Sequence, residues 1–250
     1  MNARGKTDCA GWLEGDSATC APVAGEHPHP WRLVLLGAPG TGKSTQGELL
    51  SQRLNICHLS TGDLFRAVAS HSGPNPSPAM AEAKKYVQQG DLVPDSTMWE
   101  MILERDHCIR CPAGFLLDGF PRTLVQAEQL AAFMKKEGLS LNAVVDYEMP
   151  LPEIIARLGG RRMCEKCHAI FHVTWRPPKI EGQCDDCGGL LYHREDDWPD
   201  AIATRLEAYK HSTAPLIQFY KALGLLTPVD AVGSAEDIYA RTMAALQARG

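Results

Sequence analysis

Four cysteines in the second half of the chain have the spacing of a metal site. They form two Cys-x-x-Cys pairs separated by sixteen residues: Cys164, Cys167, Cys184 and Cys187. Four thiolates complete the tetrahedral shell of zinc and leave no position open for a substrate, so a zinc ion bound here would be structural. The residues alone leave open two disulfides, four thiols without metal, or a site in which His168 or His172 replaces one thiolate.

A second motif, near the start of the chain, predicts phosphate binding. Residues 37–44 follow the short apolar run 32–36 and precede a helical pattern. They match G-x-x-x-x-G-K-[ST] in the strand-loop-helix context that this loop requires, where backbone N–H groups, the lysine and the helix N-terminus surround phosphates. We therefore expect ATP to contact the whole loop: Gly37, Ala38, Pro39, Gly40, Thr41, Gly42, Lys43, Ser44 and Thr45.

The elements that must position these motifs alternate along the chain. Short apolar runs predict five buried strands, at 32–36, 56–60, 115–118, 143–148 and 225–229. Helical patterns follow at 44–54, 96–108, 124–136 and 200–223, the last with a kink at Pro215. Alternation of this kind indicates an α/β fold, with a parallel five-stranded sheet covered by helices on both faces.

Two segments interrupt the alternation and are predicted to be insertions at the ligand-binding end of the sheet. One is the mostly helical stretch 61–92, and the other is 160–197, which contains the four cysteines. The remaining core domain then comprises 31–60, 93–159 and 198–250. Glycine, proline, alanine and polar residues dominate 1–30, which we expect to be a flexible extension.

Composition weighs against several functions. The chain has 250 residues and a formal net charge of -5, whereas nucleic-acid-binding domains usually carry a basic excess, so we expect no nucleic-acid partner. No apolar run reaches the roughly 18 residues that span a bilayer, and we expect no membrane partner. The first thirty residues lack the apolar segment of a secretory signal. Nine cysteines without such a signal favour a reducing compartment, so we expect a cytoplasmic protein. We also expect a monomer.

Four stretches after the phosphate loop resemble motifs of the adenylate kinase family, and they occur in that family's order. They are STGDLFR at 60–66, QGDLVPD at 89–95, DGFPRT at 118–123 with Gln126, and REDD at 194–197 with Arg205. The resemblance extends from Trp31 to the end of the chain. It implies a P-loop NTPase-type fold with a helical monophosphate-binding insertion at 61–92. The cysteine-containing stretch 160–197 resembles the zinc-bearing lid of some bacterial members.

The resemblance implies reversible transfer of the terminal phosphate of ATP to AMP, giving two ADP, with ATP and AMP as the binding partners. Transfer needs positive charge around phosphates shared by two nucleotides, and a guanidinium binds two oxygens while staying protonated. No side-chain base is required, since a phosphate monoester is already largely ionised near neutral pH. By resemblance, Arg66 and Arg122 hold the monophosphate, and Arg205 bridges both nucleotides. The catalytic residues implied are Lys43, Arg122, Arg161, Arg194 and Arg205.

The resemblance also assigns the two bases. Thr61 resembles the family's adenine-selective threonine, and the Gln126 amide can contact a base edge. On the donor side, Arg157 and His172 resemble the pair that packs against the ATP base, although a lone histidine in a short strand is more often structural. The AMP site implied consists of Thr61, Arg66, Val93, Gly119, Arg122, Gln126, Arg194 and Arg205.

Magnesium is the cofactor expected with ATP. Because Mg²⁺ usually keeps several waters, we expect Ser44 to bind it directly and Asp63 and Asp118 to bind it through water. Asp63 could equally cap the helix that starts beside it. The family usually has glycine after the loop lysine, so Ser44 restores the general phosphate-loop form here.

Two other functions fit parts of the sequence. The nearer alternative is a kinase for another nucleoside monophosphate, CMP or UMP. The more distant one is a zinc-ribbon module that binds nucleic acid or protein and uses ATP as a switch. Trp175, Arg176 and Lys179 hint at such a surface, but four acidic residues in the same segment offset their charge: Glu165, Glu181, Asp185 and Asp186.

Overall fold

A computed structural model describes residues 30–62, 64–65, 77–89 and 93–249. Residues 1–29 of the predicted extension lie outside the described residues, as do the site residues Asp63 and Arg66 and nearly all of the Pro-rich turn at 70–78.

Five parallel strands form the central sheet, as the sequence predicted. Their order across the sheet is β2-β3-β1-β4-β8, and every pair of neighbours is parallel. The strands are β1 (Trp31–Gly37), β2 (Cys57–Ser60), β3 (Gly114–Asp118), β4 (Ala143–Glu148) and β8 (Leu226–Asp230). The phosphate loop therefore leaves the middle strand, and its neighbour β3 ends at Asp118 on the same edge.

Helices cover both faces of this sheet. They are α1 (Lys43–Leu54), α2 (Pro78–Gln89), α3 (Asp95–Leu103), α4 (Asp106–Ile109), α5 (Leu124–Lys136), α6 (Leu151–Gly160), α7 (Pro199–Ala208), α8 (Pro215–Ala222) and α9 (Ala235–Gln247). Alternate residues of β1 pack into opposite cores: Val34 and Leu36 face one cluster, whereas Leu33 and Leu35 face the other. Burial on both faces explains why the strand is an unbroken apolar run.

Two predicted helices are interrupted. The stretch 96–108 divides into α3 and α4 because the chain leaves helical geometry at Arg105 (φ -124°, ψ 26°). The side chain of Arg105 is buried there and donates to the Met101 carbonyl. The stretch 200–223 contains a π-helical turn at Tyr209–Thr213, so the irregularity lies before Pro215, which begins α8. Helices α6 and α9 were not predicted from the sequence.

The stretch 160–197, here called the cysteine segment, forms a small sheet of its own. Strand β5 (Arg161–Cys164) lies between β6 (Ile170–His172) and β7 (Leu191–Tyr192), antiparallel to both. Its apolar cluster is small and consists largely of the cysteines: Cys164, Ala169, Phe171 and Cys184, with Cys167 and Leu191 packed against them. So small a core needs another source of stability.

None of the helices in the described part of the chain is both long and apolar enough to cross a membrane.

Candidate active site

The phosphate loop connects β1 to the first turn of α1. Gly42 precedes the helix at φ 93°, in the left-handed region that residues with a Cβ rarely adopt. The Lys43 ammonium folds back over the loop and donates to the carbonyls of Gly37 (2.6 Å) and Ala38 (2.9 Å). The loop thus places the lysine charge beside the backbone N–H groups at the helix N-terminus, as an anion site requires.

Several charges surround Lys43, which is only partly accessible to solvent. Loss of hydration lowers the pKa of its ammonium to about 8, and the nearby guanidinium groups of Arg122 and Arg205 lower it further. The carboxylates of Asp118 and Asp146 act in the opposite direction. Residues more than 160 positions apart in the chain therefore act on one another at the end of β1.

Asp118 and Ser44 meet where β3 ends beside the start of α1. The Ser44 hydroxyl donates to Asp118 Oδ2 at 2.6 Å, and Asp118 is buried. Two oxygen donors at the mouth of a phosphate loop are the kind of ligand that Mg²⁺ takes, together with waters and phosphate oxygens. These two residues therefore fit the predicted magnesium site.

Three of the predicted catalytic arginines lie together and share two acidic partners. Arg161 forms a two-point ion pair with Asp197, at 2.7 and 2.5 Å. Arg205 donates to the same carboxylate at 3.1 Å and to the Asp196 carbonyl at 2.7 Å. Arg194 pairs with the Asp196 carboxylate through two hydrogen bonds.

Sequence reasoning quoted the REDD motif but gave no role to its two aspartates. Asp197 is fully buried, and Asp196 has its pKa lowered by Arg194 and Arg205 although burial acts to raise it. Both carboxylates are thus partners of the arginines: Asp197 accepts from Arg161 and Arg205, and Asp196 accepts from Arg194. The sequence could have indicated this role, because buried guanidinium groups need acidic partners and two aspartates stand in the same motif as Arg194.

The predicted acceptor residues lie around the turn after β3. Arg122 is exposed to solvent, and its Nε donates to the Gly119 carbonyl at 2.8 Å. Gly119 has φ 81°, and a Cβ there would lie 2.4 Å from the Thr61 hydroxyl oxygen. Thr61 is buried and donates to the Gly119 carbonyl at 3.0 Å. Val93 packs against the neighbouring apolar core.

The Gln126 amide is engaged at both ends in this structure. Its oxygen accepts from the Arg122 backbone N–H at 2.7 Å, and its nitrogen donates to Asp95 Oδ1 at 2.6 Å. The side chain is buried, so reading a base edge would require one of these contacts to change. In the conformation described, Gln126 instead fixes the backbone that presents Arg122.

On the donor side, Trp175 joins the predicted pair of Arg157 and His172, a role that had not been predicted for it. Trp175 stacks on His172 with ring centroids 4.1 Å apart and planes at 19°. The Arg157 guanidinium lies 5.9 Å from the centre of the Trp175 ring, and its Nη1 lies 3.7 Å from the position of a Cβ on Gly42. A flat, partly cationic surface therefore stands beside the phosphate loop.

His172 is held by the backbone and not by the cysteines. Its Nδ1 accepts from the N–H groups of Thr174 and Trp175, and its Nε2 lies 3.2 Å from the Ala156 carbonyl oxygen. The potential metal-binding group found among the described residues contains the four cysteines and no histidine.

The four sulfur atoms converge as a metal site requires. All lie within 4.8 Å of one another, with Cys164 and Cys187 at 3.4 Å and Cys167 and Cys184 at 3.5 Å. Sulfur atoms on a tetrahedral zinc ion are about 3.8 Å apart, given Zn–S bonds of about 2.3 Å. Backbone N–H groups of Lys166 and Cys167 also hydrogen-bond the Cys164 sulfur, which favours a thiolate.

The two halves of the cysteine site have the same backbone conformation. His168 has φ 56° and Gly188 has φ 68°, and each N–H donates to the carbonyl of the first cysteine of its pair. His168 thus adopts a backbone conformation that glycine adopts more readily, and the first turn has the same geometry as the second. The residues fit a tetrathiolate zinc ion.

A phosphate loop on the middle strand of a parallel sheet, facing clustered arginines, defines the class of P-loop nucleotide phosphotransferases. Residues 35–225 match the family model described as adenylate kinase. A protein named adenylate kinase from Carboxydothermus hydrogenoformans is 44% identical over 216 residues, covering 86% of this chain and 99% of its own. Proteins of the same name from Streptomyces griseus and Caldicellulosiruptor bescii are 46% and 47% identical, covering 87% and 88% of this chain and 98% and 99% of their own.

The chain belongs to the adenylate kinase family. It is an enzyme with nucleoside monophosphate kinase activity, as the motif resemblance implied.

Proposed function

We propose that the enzyme transfers the terminal phosphate of ATP to AMP, reversibly, through the residues that surround Lys43. One observation supports this most: Lys43 interacts electrostatically with both Arg122 and Arg205, and Arg205 interacts with Arg161 and Arg194. The cluster combines residues assigned to the donor phosphates with one assigned to the monophosphate. Phosphoryl transfer requires positive charge around both the donor phosphates and the acceptor phosphate.

Two aspartates, Asp196 and Asp197, hold the three arginines in position before phosphate binds. Asp196 and Asp197 carry two negative charges against three guanidinium groups, so the set keeps a positive excess. The carboxylates hold the guanidinium planes in place without nucleotide, which reduces the ordering cost when phosphate arrives. Arg161 and Arg194 then take the transferring phosphates, and Arg205 contacts both nucleotides.

Magnesium would be held by Ser44 directly and by Asp118 through water. When bound, the ion neutralises charge that develops on the phosphate oxygens. Lys43 adds a point charge on the same phosphates, while the backbone N–H groups of the loop orient them. The position of Ser44 beside Asp118 supports this assignment. The role of Asp63 stays a prediction.

The acceptor site lies around the Asp118–Arg122 turn. We assign the AMP phosphate to Arg122, with Arg66 as a predicted second partner, and the base to the region of Thr61 and the backbone near Val93. Gln126 supports the site by fixing the Arg122 backbone. On the donor side, Arg157, His172 and Trp175 form the surface on which the ATP base packs.

The cysteine segment acts as a lid, with 61–92 as the monophosphate-binding insertion on the core domain. Arg161 and Arg194 lie at the two ends of this lid, so a zinc ion that fixes its small core also fixes their spacing. Closure would exclude water, which otherwise competes as phosphate acceptor. Monomeric state and cytoplasmic location stay predictions.

The decisive test offers AMP, CMP, UMP and GMP separately to the purified enzyme with ATP and magnesium. Rapid ADP formation with AMP alone is the expected result, because Thr61 favours adenine at the acceptor site. Faster transfer to another monophosphate would contradict the base assignment and retain the reaction. No transfer to any acceptor would overturn the proposal.

The rate at limiting ATP should fall as the pH rises through about 8. The depressed pKa of Lys43 means that its charge is complete well below pH 8 and is lost above it. A neutral amine no longer attracts the phosphates, so kcat/KM for ATP declines on the alkaline side, since this ratio reports groups of the free enzyme. Profiles are measured from about pH 6 to about pH 10 for the unmodified enzyme and for Lys43→Arg, whose guanidinium stays protonated. An equal decline in both would contradict the assignment to Lys43.

A further inference from the structure

The backbone of Arg122 is held by two side chains from different helical segments. Its carbonyl accepts from Thr213 Oγ1 at 3.1 Å, across 91 positions of the chain. Its N–H donates to Gln126 Oε1 at 2.7 Å. The exposed guanidinium of Arg122 therefore extends from a backbone that is fixed at both of its polar groups.

The segment that carries Thr213 continues the helix that carries Arg205. A π-helical turn at Tyr209–Thr213 follows α7, and the Ala214 N–H donates to the Tyr209 carbonyl at 2.9 Å, five residues back. Such turns are rare and frequently occur at functional sites. In an α-helix of about 3.6 residues per turn, positions 205 and 213 would lie about 80° apart around the axis. The wider turn contains one more residue and removes most of this rotation, so Thr213 comes close to the face of Arg205.

The hydrogen bond from Thr213 thus joins the helix of Arg205 to the turn of Arg122. The Arg205 guanidinium is itself held by the Asp196 carbonyl and the Asp197 carboxylate. Water could replace the threonine hydroxyl as donor to the Arg122 carbonyl, but water would not hold the two segments at one distance. A displacement of about 1 Å at a distance from the reacting atoms can cost about 100-fold in rate. The geometric role of this bond therefore exceeds its contribution to stability.

We propose that Thr213 is a positioning residue for the acceptor site. Its hydroxyl fixes the distance between Arg122 and Arg205, so that both guanidinium groups reach the acceptor phosphate together. The inference rests on the proposed function, because that function assigns both arginines to AMP.

The test replaces Thr213 by valine, which keeps the branched shape and removes the hydroxyl. Binding of AMP alone, measured by calorimetry without ATP or magnesium, should weaken by about 3-fold, as loss of one hydrogen bond predicts. The kcat/KM for AMP should fall by about 10-fold or more, because transfer also needs the alignment of both arginines. Binding of ATP should change by less than about 2-fold, and the melting temperature by less than about 2 °C, since water satisfies the carbonyl. Thr213→Ser keeps the donor and should restore both AMP values to within about 2-fold.

A matched control is Thr204→Val on the same helix. Thr204 is exposed, and its hydroxyl donates to the Asp200 carbonyl within α7 at 2.9 Å. This variant should bind AMP and transfer phosphate as the unmodified enzyme does. An equal loss in this control would overturn the inference.

A double-mutant cycle separates positioning from a general effect on the fold. When Arg122 is already alanine, Thr213→Val should cause less than about 2-fold further loss in kcat/KM for AMP, because Thr213 acts through Arg122. An equal loss in both backgrounds would overturn the inference. Unchanged AMP values in Thr213→Val, or a serine variant no better than the valine variant, would also overturn it. Failure of the proposed function is distinguishable, because the unmodified enzyme itself would then transfer no phosphate to AMP.

Discussion

Replacing Arg122 by alanine should lower kcat/KM for AMP by about three orders of magnitude, the upper end of the cost of removing one preorganised charge donor. Arg122 is exposed to solvent, its Nε donates to the Gly119 carbonyl, and its guanidinium interacts electrostatically with Lys43. A guanidinium so placed can bind the acceptor phosphate through two oxygens and hold it in line with the donor. Steady-state rates with varied AMP, and binding of ATP by calorimetry, measure the two effects separately.

Binding of ATP should change by less than about 3-fold in the same variant, because Arg122 is assigned to the monophosphate and not to the donor. Arg110→Ala is the matched control. Its guanidinium is about half exposed and pairs with Asp106 and Glu137 on the surface, where such pairs contribute little. Near-normal transfer by Arg122→Ala, or a loss as large in the control, would contradict the role given to Arg122.

Removal of zinc should lower the melting temperature by about 10 °C or more. The cysteine segment has a minimal apolar cluster in which three of six members are cysteines, so the metal supplies much of its stability. A structural zinc ion contributes far more than the few kcal/mol that correspond to this shift, since about 1 kcal/mol moves the melting temperature by about 2–4 °C at this chain length. Calorimetry before and after a chelator, with metal analysis of the purified protein, measures the effect.

Zinc added back should restore the melting temperature of the unmodified chain and not of a variant with four serines in place of the cysteines. Both metal-depleted proteins should keep some affinity for ATP, because the phosphate loop belongs to the central sheet and not to the cysteine segment. A purified protein with no bound metal and an unchanged melting temperature after chelation would remove the structural-zinc assignment.

Much of the fold could be predicted because its signals are local. An unbroken apolar run such as Leu33–Leu36 indicates a strand buried on both faces, and its alternating contacts with two cores confirm that interpretation. Helix interruptions were less predictable. The break at Arg105 depends on a buried side chain that binds the Met101 carbonyl, and no periodicity records such a contact.

The phosphate loop, the five strands of the central sheet and the four thiols could be predicted from the sequence, because each of these depends on neighbouring residues and fixed spacing. Tertiary structure decided which residues meet. It placed Asp197 under Arg161 and Arg205, stacked Trp175 on His172, and set His58 beside Asp118. Asp118 and His58 lie on different strands, and only the pairing of β2 with β3 brings them within reach. That pairing joins residues such as Cys57 and Phe115, which lie far apart in the chain, and local patterns do not record which strands become neighbours.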